Sequence, residues 1–333
     1  MPALHECLIA IDYSLSSKLE KFVKGQIKRL SEHATIHFEK ELSDNELEEI
    51  IGRIDTMLVA RWPKRLNGEL MKRAKMLKLV QSLFAGVDAM PFSIIPKEAI
   101  ICSNAGAYSD EVAEFSISLL LSAAKSIPLY NARLRQNASM PDPYRQIRTL
   151  QGSSLGILGY GGIGRRTAEI ARCMGMRILV YSRRKDASNE MNFTGLDGLR
   201  KMLPLCDSVI IALPLTKHTR GLIEEQMLNL LKEDAILVNI ARGDIVDYKS
   251  LALHMERHPD FKYATDVGWI IDGRENYDPE GKLFALENYI VTPHVSGYRS
   301  QFTGRPLSLA VDNVIRFYTN SELSNRVERS EYI

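Results

Sequence analysis

No stretch of this chain approaches the roughly 18 consecutive apolar residues of a membrane span. The opening MPALHECLIAIDYS has neither the basic start nor the long apolar core of a secretory leader, so a cytoplasmic protein is the default expectation. Cysteine is scarce. The four, at 7, 102, 173 and 206, form no C-x-x-C pair and three lie in or beside apolar runs, which predicts buried free thiols rather than disulfides or a metal site. Charge of one sign is lacking too: 43 basic against 41 acidic side chains leave a net +2, too little to draw the chain to nucleic acid or an anionic membrane. No internal repeat is found. What remains is an ordinary globular composition, 45% hydrophobic and 25% charged over 333 residues, long enough for two domains and best matched to a small-molecule partner.

The densest signal is SLGILGYGGIGRRTAEIARCMGMRILVYSRR, residues 154–184. An apolar run, a glycine-rich turn, an amphipathic helix and a second apolar run make a βαβ unit with a phosphate site. Gly159 closes the strand, Gly161 lets backbone approach a diphosphate, and Gly164 lets helix and strand pack closely. Amides near Gly162 and Ile163 would meet the anion at the helix N-terminus. An NAD site usually has Asp or Glu at the end of the second strand, to accept from the ribose hydroxyls. Here that strand ends Tyr181-Ser182-Arg183-Arg184. A serine and two guanidinium groups suit a 2'-phosphate, which makes NADP the preferred cofactor and NAD the alternative. Under the bland reading the two arginines form a solvated turn.

Around this unit, strand and helix patterns alternate along the chain, which predicts parallel sheets covered by helices. Ser43 to Glu46 reads as a capping box opening a helix through Ile54. Residues 110–125 are apolar all round and predict a helix buried between domains; 126–150 read as a polar crossing segment and 321–333 stay unassigned. Two loops follow strand ends in the first third, where ligands sit in such folds: Arg61-Trp62-Pro63 and Leu83 to Asp88. In the second, Ala85 and Gly86 expose backbone amides able to hold a carboxylate. A tight turn is an equally good reading of that loop alone. Arg242 and His294 also stand at strand ends, each with its own structural reading, an ion pair for the arginine and a packed ring for the histidine. Trp62, Trp269 and Tyr298 are pocket, core or interface.

The ordered set Gly159 to Gly164, Leu213-Pro214-Leu215-Thr216, Asn239-Ile240-Ala241-Arg242-Gly243, Asp266-Val267 and Thr292-Pro293-His294 resembles the D-isomer-specific 2-hydroxyacid dehydrogenases. The resemblance runs over nearly the whole chain and extends to Ala85 to Asp88 and Val112-Ala113-Glu114. It implies an α/β fold of two doubly wound parallel-sheet domains. A flavodoxin-like substrate domain would be built from residues 1–101 plus 296–333, and an inserted Rossmann nucleotide-binding domain from 102–295, through which two subunits pair as a homodimer. It further implies that Arg242 pairs with the substrate carboxylate and polarises the 2-oxo group, that His294 delivers a proton to that oxygen, and that Asp266 bonds the nicotinamide carboxamide. Arg61, Trp62, Ala85 and Gly86 would face the substrate; Leu213, Pro214, Ala241 and Gly297 would border the cofactor. The implied activity is hydride transfer between NADP(H) and a small 2-oxo acid of glyoxylate or hydroxypyruvate type. A dinucleotide-binding regulator of the same fold, or a formate- or phosphite-type dehydrogenase, is the alternative.

One family member is missing from its usual place. The acid that bonds the histidine ordinarily stands five residues after the Asp of the Asp-Val pair, where this chain has Ile271. Counted back from His294 the usual spacing lands on Glu275, with Asp272 as a second choice and no supporting acid as a third.

Overall fold

The computed structural model describes residues 5–10, 17–183, 191–298 and 304–333. The chain forms two compact units, Met1–Tyr108 with Tyr298–Ile333, and Ser109–Gly297. In the first unit, β1 (His5–Ala10), β2 (Ala34–Phe38), β3 (Thr56–Val59), β4 (Leu79–Ser82) and β5 (Ile100–Cys102) form a parallel sheet in the order β2-β1-β3-β4-β5. That is the flavodoxin-like order. Both faces are buried, which is why the strands read as continuous apolar runs rather than as alternation. Along β1, Leu8 and Ala10 join a core with Met57, Val59 and Val80, whereas Cys7 and Ile9 join another with Leu58, Leu307, Ala310 and Val311. The last three come from helix Arg305–Tyr318, so the end of the chain covers a sheet begun at its start.

In the second unit, β6 (Ser154–Leu158), β7 (Arg177–Tyr181), β8 (Met191–Phe193), β9 (Ser208–Ile211), β10 (Ile236–Asn239), β11 (Lys262–Thr265) and β14 (Tyr289–Val291) make a parallel sheet ordered β14-β11-β10-β9-β6-β7-β8. The order reverses between β6 and β9, the switch point at which ligands bind in doubly wound sheets. β12 (Trp269–Ile271) and β13 (Arg274–Asn276) form a separate antiparallel hairpin. The apolar helix predicted at 110–125 is Ser109–Ala124, packed within this unit on helix Gly162–Cys173 and on β10 and β11.

Several elements depart from the sequence reading. The capping box at Ser43 and Glu46 is present, but its helix ends at Ile50, because the chain turns there to bury both Ile51 and Ile54. The segment 126–150 contains helices Ile127–Arg135 and Pro143–Gln146. Buried Lys262 holds it to the sheet by donating to Ala123 O, Ser126 Oγ and Gln146 O. The polar chain end is ordered: Arg329 donates to the carbonyls of Ile95, Pro96 and Ala99, and Val327 N bonds Ile101 O. Cys7, Cys102 and Cys206 are buried free thiols and Cys173 is exposed. Among the described residues no single helix is long and apolar enough to cross a membrane.

Candidate active site

The glycine turn after β6 is built as its spacing predicts. Gly159 has φ +99°, and a Cβ there would lie 2.6 Å from Ala212 O; at Gly164 a Cβ would lie 2.0 Å from Gly159 O. Both positions are closed to any side chain. At Gly161 a Cβ would meet nothing within 4 Å, so the missing atom leaves open space beside the N-terminus of helix Gly162–Cys173. No side-chain cap takes up the first amides of that helix, so those of Gly162 and Ile163 remain donors for an anion. This cradle fits a dinucleotide diphosphate.

The other predicted residues follow the carboxyl ends of neighbouring strands. Ser182 and Arg183 follow β7, Leu213 and Pro214 follow β9, Ala241 and Arg242 follow β10, Asp266 follows β11, and His294 and Gly297 follow β14. At about 4.8 Å per strand, the span from β7 to β14 is roughly 24 Å. Ser182 N bonds Phe193 O and Arg183 is exposed. Arg184 lies outside the described residues. Leu213 is half-buried and Pro214 exposed, with Thr219 Oγ1 donating to Pro214 O at 2.6 Å.

Arg242 is aimed by its neighbours. Asn239 Nδ2 donates to Arg242 O at 2.9 Å, and Asn239 Oδ1 accepts from Ala241 N at 3.0 Å, so one buried amide fixes the backbone on both sides of the guanidinium. Gly243 lets this turn press against the chain at Gly268, where a Cβ would lie 2.2 Å from the carbonyl oxygen.

His294 stands in a left-handed conformation, φ 52°, that only a well-supported turn sustains in a non-glycine residue. Asp266 supplies the support. Fully buried, it accepts from Thr292 Oγ1 (2.5 Å), Val295 N (3.0 Å) and Ser296 N (2.8 Å). Those contacts wrap the backbone around His294, a role that the Asp-Val and Thr-Pro-His spacings do not by themselves reveal.

Glu275, and not Asp272, meets the imidazole: His294 Nδ1 lies 2.8 Å from Glu275 Oε1. A carboxylate only accepts, so the hydrogen is on Nδ1 and Nε2 is left to face a reactant. Burial works against the charge of Glu275. Hydrogen bonds from His294 and Tyr277, with the positive charges of His294 and Arg242, outweigh it and hold the carboxyl below its ordinary range. Glu275 reaches this place on the β12–β13 hairpin, whose two-residue turn is Asp272-Gly273, both at positive φ (50° and 75°). Asp-Gly between extended segments is a strong hairpin signal, and it is the feature of the sequence that could have located the acid. Asp272 is exposed at the tip.

In the first unit, Arg61 and Trp62 follow β3. Arg61 is exposed; Trp62 packs against the core and gives its indole hydrogen to Leu66 O at 2.8 Å. After β4, Leu83 O accepts from Asn104 Nδ2 (2.9 Å) and Tyr108 OH (3.0 Å), and Phe84 N bonds Ser82 Oγ (3.0 Å). The loop is thereby pinned, and among the described residues no acceptor meets the amides of Ala85 and Gly86. Trp269 is core: it is buried, bonds Val246 O at 2.8 Å and meets Tyr248 edge-on at 5.1 Å.

Residues 117–296 match the family model for the D-isomer specific 2-hydroxyacid dehydrogenase, NAD binding domain. The chain belongs to that family. As a 2-hydroxyacid dehydrogenase it is an oxidoreductase that uses a nicotinamide dinucleotide and a small acid substrate. It is 29% identical to a glyoxylate reductase of Thermococcus kodakarensis over 323 residues, 92% of this chain and 93% of that one. It is likewise 29% identical over 304 residues to a D-3-phosphoglycerate dehydrogenase of Methanocaldococcus jannaschii; the match takes in 90% of this chain but 56% of that protein's length. A solved structure from Pyrobaculum aerophilum, provisionally named a formate dehydrogenase, shares 29% identity and superposes with TM-score 0.81 over 98% of this dehydrogenase and 100% of that chain.

Proposed function

We propose that this dehydrogenase reduces a small 2-oxo acid of the glyoxylate or hydroxypyruvate type to its D-2-hydroxy acid, with NADPH preferred over NADH. The observation that carries the reading is the pairing of His294 with Glu275 at 2.8 Å in the same unit as Arg242 and the glycine turn. Bound nicotinamide supplies the hydride. Arg242 binds the substrate carboxylate through its planar fork and polarises the 2-oxo group, while His294 gives a proton to the developing alkoxide from Nε2. Glu275 accepts the Nδ1 hydrogen and holds the ring in place. In this reading Asp266 bonds the nicotinamide carboxamide and, in the first unit, the pinned loop at Ala85 and Gly86 offers a carboxylate holder of its own.

NADPH preference rests on residues at the end of β7, where Ser182 and Arg183 stand and no carboxylate does. A homodimer through the nucleotide-binding unit is part of the same reading. Exposed Ile127, Leu134, Met140 and Ile147 give that unit apolar surface to bury, and light scattering on the purified protein tests it. Steady-state reduction of a panel of 2-oxo acids with NADPH and with NADH decides the activity, and absence of turnover on all of them refutes it. Formate, the substrate in the Pyrobaculum neighbour's provisional name, is the second substrate to assay, in the oxidative direction.

A further inference from the structure

Each carboxylate oxygen of Glu275 has its own partner. Oε1 meets His294 Nδ1 at 2.8 Å, and Oε2 accepts from the Tyr277 hydroxyl at 3.0 Å. We propose that Tyr277 is a positioning residue for proton delivery, its hydroxyl locking the Glu275 carboxylate in the rotamer that faces His294. The inference rests on the reading of His294 as proton donor and adds to it what holds the donor's partner in place.

β13 ends at Asn276 and Tyr277 stands at the bend just past it, from which its hydroxyl reaches the carboxylate two residues back. Tyr277 is itself anchored from both directions. Its carbonyl accepts from the Tyr289 hydroxyl at 2.7 Å, and Tyr289 opens β14, the strand that leads to His294. The next residue, buried Asp278, accepts from Tyr248 OH and from the amides of Lys282, Leu283 and Phe284. Thus the backbone of Tyr277 is tied to the strand that leads to His294, while its phenol reaches Glu275, and the three groups are joined in one loop.

Such a lock is needed because Glu275 stands on the hairpin, beside an open depression of about 680 Å³ bordered also by Ile271, Arg274, Tyr277 and Phe284. Water reaching that depression competes for the carboxylate, and a freely rotating side chain would leave the imidazole. The groups facing Glu275 are His294, Tyr277 and Arg242; those facing Tyr277 are Glu275, Asp266 and Tyr289. Burial, then the charge of Glu275, pushes the phenol's pKa well up, so it stays a neutral donor throughout the working pH range.

Tyr277→Phe keeps the ring and removes the hydroxyl. It should lower kcat for reduction about tenfold, leave KM for NADPH unchanged, and move the acid limb of the pH profile upward. The sign follows because Glu275 then loses a hydrogen bond to its charged form and protonates at higher pH. The same ionisation is read without turnover, as the acid inflection that Glu275 imposes on the His294 ring signals in an NMR titration; Glu275→Gln identifies that inflection by abolishing it. In Tyr277→Phe the inflection should move up. An inflection and an acid limb that stay where the parent has them overturn the proposal, as does an activity loss matched only by a lower Tm. A parent protein that turns over no 2-oxo acid refutes the reductase reading, while the ring titration still decides Tyr277.

Discussion

The glycine turn after β6 and the hairpin β12–β13 serve the same unit by opposite means. In the turn the working groups are backbone: Gly159 and Gly164 are glycines because a Cβ would strike carbonyl oxygens, and Gly161 leaves open space where an anion can reach amides. In the hairpin the working group is one side chain, Glu275, and the backbone serves only to bring it to His294. Backbone function fixes residue type and spacing together. Side-chain function fixes the end point in space and leaves the spacing free, so Glu275 can stand nine residues after Asp266 (275 − 266) and still meet His294.

Five substitutions press on that contrast, the largest effect first. Gly164→Ala forces a Cβ into the Gly159 carbonyl, and dinucleotide affinity should fall at least about a hundredfold with a clear loss of thermal stability, overpacking being worth about 1–3 kcal/mol. Gly161→Ala is its control: Tm should stay put while affinity falls, as read by quenching of protein fluorescence with NADPH. If the control binds as tightly as the parent, the open space is not where the diphosphate passes. Asp266→Asn turns an amide N–H toward one of three donors in a dry site and should lower the unfolding free energy by about 2–3 kcal/mol in urea titrations. An unaltered midpoint would mean that the His294 turn holds itself.

Glu275→Gln touches a side-chain role alone. Removing the carboxylate that His294 Nδ1 meets at 2.8 Å should lower the rate of 2-oxo acid reduction about tenfold and remove the acid limb of its pH profile, which ionisation of the depressed Glu275 carboxyl sets. A profile that matches the parent would detach Glu275 from the proton transfer. The smallest effect is expected at Arg183. Its exchange for Ala should raise KM for NADPH about fivefold and leave KM for NADH nearly unchanged, since one exposed charge-assisted contact is at stake. Equal changes with both cofactors would remove the 2'-phosphate from the argument.

Much of the site was readable along the chain because strands end where their apolar runs end, and in a parallel sheet all those ends lie on one edge. Arg242 and His294 were therefore recognisable as strand-end residues before their neighbours were known. The hairpin is marked in the sequence by Asp272-Gly273 at its turn, but the family spacing points to Ile271 and so passes over it. Tyr277 was missed because nothing in a tyrosine's type marks it as a partner of the residue two places back. The support given by Asp266 was missed for a different reason: its donors include the amides of Val295 and Ser296, and any residue but proline brings an amide.

By itself the sequence determined what is local: which runs are apolar enough to be buried on both faces, which glycines admit a tight turn and an anion, and which strand ends carry a guanidinium and an imidazole. Tertiary structure decided what depends on distance. Only the folded sheet puts Asp266 beneath the His294 turn, and only the hairpin swings Glu275, with Tyr277 behind it, onto the imidazole. The reason is range. Propensity and packing of a segment act over a few residues, whereas a hydrogen bond between groups 19 or 30 residues apart exists only once the chain between them has found its path.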